Sequence, residues 1–108
     1  MPEVKLSLEG EDVDIAAAQL FETTGLQGKW EVAKGSLPTK EGTLAVIGTV
    51  IGIVGGTVAV AEQIRKWYQE YKKSKKKFDV VLVAGDVRVV LENATIEDIR
   101  SVLEELES

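Results

Sequence analysis

The side chains that could do chemistry in this 108-residue chain are few and scattered. There is no Cys and no His, which removes thiolate nucleophiles, Cys-ligated zinc and the commonest general base near neutral pH. Ser7, Ser36, Ser74, Ser101 and Ser108 therefore have no imidazole to activate them, and none sits in a nucleophile elbow. Carboxylates crowd the stretch Glu9-Gly10-Glu11-Asp12-Val13-Asp14, where a divalent cation is conceivable. Their spacing is not that of a twelve-residue calcium loop, and a helix cap accounts for Asp12. The glycines at 52, 55 and 56 are not followed by Lys-Ser/Thr, so no phosphate loop forms. These exclusions predict a chain that is not an enzyme and that carries no cofactor and no metal.

Two other constellations stand out. Gly48, Gly52, Gly55 and Gly56 punctuate an apolar stretch; on a helix, Gly48, Gly52 and Gly56 would strip one side of side chains and admit another backbone, a close-packing or self-association surface. That placement predicts overpacking when Gly52 is replaced by Leu. Arg65, Lys66, Lys72, Lys73, Lys75, Lys76 and Lys77 make up seven of the 13 Lys and Arg residues. Such a run suits an anionic membrane surface or an acidic partner, or is simply a solvated helix end whose cations oppose the macrodipole. Nucleic acid is not expected as a partner: the formal net charge is −5, and Tyr68 and Tyr71 lack the strand-borne aromatics of a single-strand platform.

The elements that must carry these residues follow from periodicity. Val4, Leu6 and Leu8 alternate with polar neighbours, as in a half-buried strand. Val13, Ala16, Ala17, Leu20 and Phe21 recur at helical spacing, with Asp12 placed to cap and Gly25 and Gly28 ending the helix. A second strand runs from Lys29 to Lys34, and Gly35 to Gly42 is a loop. Leu44 to Ala61 holds eighteen residues without a charge. The spacing predicts one long helix, buried at its start and amphipathic through Ile64, Trp67, Tyr68 and Tyr71. Phe78 to Val83 has the β-branched density of a central strand buried on both faces. Gly85-Asp86 supplies a hairpin turn that needs Gly first, and Val87 to Leu91 returns. Thr95 and Asp98 match a capping box before a last helix with the stripe Ile96, Ile99, Val102, Leu103 and Leu106.

The expected fold is one α+β domain over 1–108, a two-layer sandwich of order β-α-β-α-β-β-α. It has a four-stranded mixed sheet and a long Gly-rich central helix that supplies most of the core. The alternative places 44–61 across a membrane: eighteen residues rise about 27 Å, with Trp67, Tyr68, Tyr71 and the lysines as an aromatic and positive flank. That placement would separate the strands on either side of it, which favours the interior helix. Met1-Pro2-Glu3-Val4-Lys5 has no basic region followed by an apolar run, so a cytoplasmic protein is expected, with inner-membrane association as the alternative.

The layout as a whole resembles a known family. The Val-Lys-Leu-Ser-Leu strand, the small acidic helix, the Trp30 strand, the Gly-rich segment Thr43 to Ala61 continuing into Ile64-Arg65-Lys66-Trp67, the Val-rich hairpin at Gly85-Asp86 and the closing Thr-Ile-Glu-Asp-Ile-Arg helix are together similar to the effector-associated constant component family. Those are small accessory proteins encoded beside caspase-like, trypsin-like or NTPase components of bacterial conflict (defence) systems. The resemblance implies a non-enzymatic adaptor, associating with an effector or sensor of the same system and open to forming a homo-oligomer. It carries over no site residues.

Overall fold

The computed structural model describes residues 3–33, 43–74 and 78–107. The expected loop from Gly35 to Gly42 and the lysines at 75, 76 and 77 lie outside these residues. The elements run β1 (Val4–Glu11), α1 (Val13–Thr23), β2 (Leu26–Val32), β3 (Thr43–Ile53), α2 (Thr57–Ser74), β4 (Phe78–Ala84), β5 (Val87–Val90), a single 3-10 turn (Leu91–Asn93) and α3 (Ile96–Glu104). The fold is α+β: the described residues form a five-stranded sheet of order β2-β3-β1-β4-β5 with three α-helices. Every pairing is antiparallel, where a four-stranded mixed sheet was expected. Read from β4, the first six elements give β4-β1-β3-β2 over β-α-β-β-α-β, the split β-α-β or ferredoxin-like arrangement. The β5 hairpin and α3 extend it at one edge.

The fifth strand comes from the segment expected to be a helix. Leu44 to Ala61 is not one helix: Thr43–Ile53 is β3, and α2 begins only at Thr57. Between them Gly55 adopts φ 108, open to glycine at little cost, and the Gly56 carbonyl accepts the Val60 N–H at 3.0 Å as the helix starts. The physical reason is the environment. β3 lies between β2 and β1 and bonds to both along its length, so its Val, Ile and Thr residues sit where branched side chains pack well. The close-packing helix face of Gly48, Gly52 and Gly56 therefore does not exist. Gly48 points to the core, but a bulge opposite Gln27–Gly28 shifts the alternation of β3, so Ile53 packs on the core beside Leu26 and Gly52, paired with Gln27, points to the other face. A methyl on Gly48 would lie 3.3 Å from Leu6 Cδ2 and 3.4 Å from both Trp30 Cβ and the Lys29 carbonyl. Gly55 and Gly56 face open space.

All three helices cover the same face of the sheet. Val4, Leu6 and Leu8 of β1, Val46 and Val50 of β3, and Val80 and Leu82 of β4 point into one core with the apolar stripes of the helices. α1 contributes Val13, Ala16, Ala17 and Leu20. Asp12 at its start has φ 54 and gives no side-chain capping bond, so the expected cap is absent; its carbonyl accepts the Ala16 N–H instead. Trp67 of α2 ties the two helices by donating Nε1–H to the Ala16 carbonyl at 3.0 Å. Trp67, Tyr68 and Tyr71 surround fully buried Phe78, with ring centroids 5.6, 5.6 and 5.8 Å away. These aromatics are core anchors, each pair contributing about 0.5–1.5 kcal/mol beyond burial, and not an interfacial belt. α3 starts as its sequence indicates: Thr95 Oγ1 accepts from the Asp98 N–H, and Asp98 accepts from the Thr95 N–H at 3.0 Å.

Two predictions follow from this packing. A methyl at Gly28 would run into the Thr49 carbonyl, whereas one at Gly52 meets only the mobile end of Gln27. Thermal unfolding should show Gly28→Ala costing about 2 kcal/mol or more and Gly52→Ala staying within about 0.5 kcal/mol. Second, the Tyr68 hydroxyl is buried with no hydrogen-bond partner. Its pKa is pushed up by burial, and further by Glu92 and Asp79. The neutral phenol is thus favoured in the fold, so this contribution to stability is complete below the unfolded value near 10 and is lost as pH rises through the raised one. Tyr68→Phe should raise stability by about 1 kcal/mol at neutral pH and show a smaller loss than the parent in denaturant titrations above pH 10.

Candidate functional site

Among the described residues, no helix packs on the opposite face of the sheet. Its residues are the odd positions of β1 and β3 with their cross-strand partners, and they form a lattice of three rungs. In the middle rung Ser7 of β1 pairs with Ile47 on one side and Val81 on the other; Glu31 and Val90 lie at the two ends. The second rung runs Lys29, Thr49, Lys5, Val83, Arg88. The third holds Ala45, Glu9 and Asp79. Side chains directly opposite in an antiparallel pair share a face and lie about 4.5–5.5 Å apart at Cβ, so each rung is a continuous row.

Two properties of this lattice are unusual for a solvated sheet face. Apolar side chains flank its polar central strand: Ile47 on one side is 50% exposed and Ile51, beyond the second rung, 62%, while half-buried Val81 and Val83 and the edge residue Val90, 36% exposed, lie on the other. Phe78–Ala84 is therefore buried on one face, not on both as its composition suggests, because the β-branched residues at 81 and 83 point away from the helices. Its charges are also sorted by rung. Lys5, Lys29 and Arg88 stand in one row, Glu9 and Asp79 in another, with the middle rung between. Lys5 also meets the exposed Glu3 carboxylate at 3.1 Å, a solvated contact worth little. A shallow hollow of about 320 Å3 lies over β1, β4 and β5, lined by Ser7, Glu9, Asp79, Val81, Val83 and Arg88.

The other candidates are not gathered into a site. Gly48 faces the helical side of β3, away from this lattice, while Gly52 lies past the bulge on the open side, against the exposed Gln27. Arg65, Lys66 and Lys73 are exposed on α2 but interleave with Glu62, Glu70 and glutamines, and the Lys72 ammonium donates to the Phe78 carbonyl at 3.5 Å. This part of the basic run is a solvated helix face. Glu9 lies on the open face and Asp12 on the turn into α1, and among the described residues no three carboxylates converge on a metal position. Ser74 and Ser101 donate to the Tyr71 and Glu97 carbonyls of their own helices; Ser36 and Ser108 lie outside the described residues. Among those residues no helix is long and apolar enough to cross a membrane.

Sequence reasoning missed the open face because β3 was assigned to a helix. The signal was present: eight of the twelve residues from Thr43 to Val54 are Val, Ile or Thr, a density that favours strands. No protein-family model matches the chain, and no curated protein or solved structure is significantly similar to it.

The sidedness of the sheet is testable at adjacent positions. Ile47→Lys places a cation beside Glu31 on the open face and should change stability by less than about 1 kcal/mol. Val46→Lys, one residue earlier, buries that charge in the core and should abolish cooperative unfolding. Circular dichroism melts of the two variants check both.

Proposed function

We propose that this chain is a non-catalytic adaptor that works in the cytoplasm by protein–protein association, and that the open face of the sheet is its binding surface. The observation that carries the reading is the set of apolar side chains at Ile47, Ile51, Val81 and Val90, which no helix among the described residues covers. Core burial explains Val46, Val50 and Ile53 of β3 and Val80 and Leu82 of β4, but nothing in the fold calls for Ile or Val at 47, 51, 81 and 83. Exposed apolar side chains interleaved with charge on a flat sheet face suit an interaction site. Its chemistry suits protein better than single-stranded nucleic acid, because no aromatic ring stands on this face for bases to stack on.

The family resemblance supplies the expected class of partner. An accessory component of a bacterial conflict system would dock an effector or a sensor encoded beside it, such as a caspase-like, trypsin-like or NTPase protein. A rigid sheet face on a small scaffold suits that task, since little ordering entropy is lost on binding.

The test is co-expression with the products of the flanking genes. A stable complex should be recovered, and Ile47→Lys should weaken its affinity by about tenfold or more, as expected for an interface centre. Calorimetric titration with purified partner checks the size. Affinity unchanged by Ile47→Lys would contradict this placement of the surface, and hydrolytic turnover by the chain alone would contradict the adaptor role.

A further inference from the structure

The pattern of charge on the open face matches itself. Resting on the reading of this face as a docking surface, we infer that its occupant is a second copy of the chain, packed face to face about a two-fold axis that runs along the middle rung, across the strands.

The geometry follows from the registers. A two-fold axis lying in the interface along the Ser7–Ile47–Val81 rung keeps each strand above its own counterpart and reverses its direction. Positions two residues to one side of the rung then face positions two residues to the other side. On β1, the central strand, Lys5 lies two residues before Ser7 and Glu9 two after, so each Lys5 faces the Glu9 of the other copy. On β4, Val83 faces Asp79, and Arg88, the cross-strand neighbour of Val83, is brought next to the same carboxylate. The middle rung packs on itself, Ile47 on Ile47 and Val81 on Val81. Glu31, at the rim end of the same rung, faces the Glu31 of the other copy; this like-charge pair is retained by the arrangement, and at the rim beside Lys29 it stays hydrated.

The alternative axis fails on the same charges. A two-fold axis along the strands would lay the Lys5, Lys29 and Arg88 row on its own copy and Glu9 and Asp79 on theirs. Like charges brought together across an interface are a strong discriminator against a pairing. Sorting charge by rung, and not by strand, therefore selects one of the two symmetric face-to-face arrangements. Aligned sheets pack about 10 Å apart at roughly 30°, a rotation that displaces the central Lys5 and Glu9 least.

Size sets the strength. Five strands spaced about 4.8 Å, each contributing about five residues, project to roughly 400 Å2 per copy. That is at the small end of specific interfaces, so the dimer is weak and concentration-dependent. It can exchange for a partner protein on the same face.

Analytical ultracentrifugation of the purified chain from about 10 μM to 1 mM tests this. The parent should show a reversible monomer–dimer equilibrium that weakens as salt is raised. Lys5→Glu alone and Glu9→Lys alone should each weaken association at least about fivefold, because each places like charges opposite one another. An equimolar mixture of the two variants should associate at least as well as the parent, since every facing pair on β1 is then opposite in sign. The double variant carrying both changes should recover self-association. A parent that stays monomeric at 1 mM, or single variants that dimerise as well as the parent, would overturn the inference. Loss of partner binding in Ile47→Lys with a strictly monomeric parent would reject the dimer and leave the docking surface standing. A parent that dimerises but ignores Ile47→Lys would reject the surface itself.

Discussion

Leu6 stands directly across from Gly48 in the middle of the sheet, and the arrangement of the whole chain depends on that pairing. β3 is apolar on both faces, so hydrophobic alternation alone does not choose its register; a slip of one residue would exchange Val46, Gly48 and Val50 for Ile47, Thr49 and Ile51 with little change in polarity. Volume makes the choice. On the core side a Cβ at this position would stand 3.3 Å from Leu6 Cδ2 and 3.4 Å from Trp30 Cβ, so any side chain there requires those neighbours to shift by a few tenths of an ångström. With Gly48 there, Val46 and Val50 fall to either side as fully buried residues, and α1 and α2 close over them. The absent side chain thus sets which face of β3 is core, and by consequence which apolar side chains are left outside.

That division explains why the open face is the informative part of the molecule. On the helical side every apolar residue has a packing role, from Phe78 inside its three aromatic neighbours to the Ile99, Val102 and Leu103 stripe of α3. On the other side Ile47, Ile51 and Val90 contribute little to the core, and their exposure carries a liability for non-specific association. The charged rows to either side limit that liability by making most ways of stacking the face electrostatically poor, while leaving one orientation favourable. Selectivity of this sort needs no cavity, cofactor or titrating side chain, in keeping with a composition that lacks His and Cys.

Much of the fold was legible from local signals with a single physical meaning. β1 alternated strictly, the Thr95–Asp98 box opened α3, and Gly85 with φ 59 made the β4–β5 turn. The segment from 44 to 61 was not, because its two strongest cues were ambiguous. A run without charge is equally at home in a buried helix or in a central strand, and glycines four apart share a face whether the repeat is 3.6 or 2. The change from strand to helix at Gly55-Gly56-Thr57 is marked in the sequence only by a glycine pair, which fits a kink inside one helix as well as a turn between two elements. Once 44 to 53 is a strand, the sheet gains an edge-to-edge width that the three helices of the described residues cover on one side only, and the open face appears. The rung-wise sorting of charge could not be seen earlier, since it depends on cross-strand registers and not on neighbours in the chain.

The central claim is that β3 presents alternate residues to opposite sides of a sheet that is covered on one side only. Methyl proton relaxation in a dilute sample containing a water-soluble gadolinium chelate measures that directly. The account predicts strong enhancement for Ile47, Ile51 and Val90 and little for Val46, Val50, Val80 and Leu82, so that exposure along 46–51 switches from one residue to the next. A repeat of three to four residues through this stretch, or methyls of Ile47 and Val90 as protected as those of Val46, would contradict it.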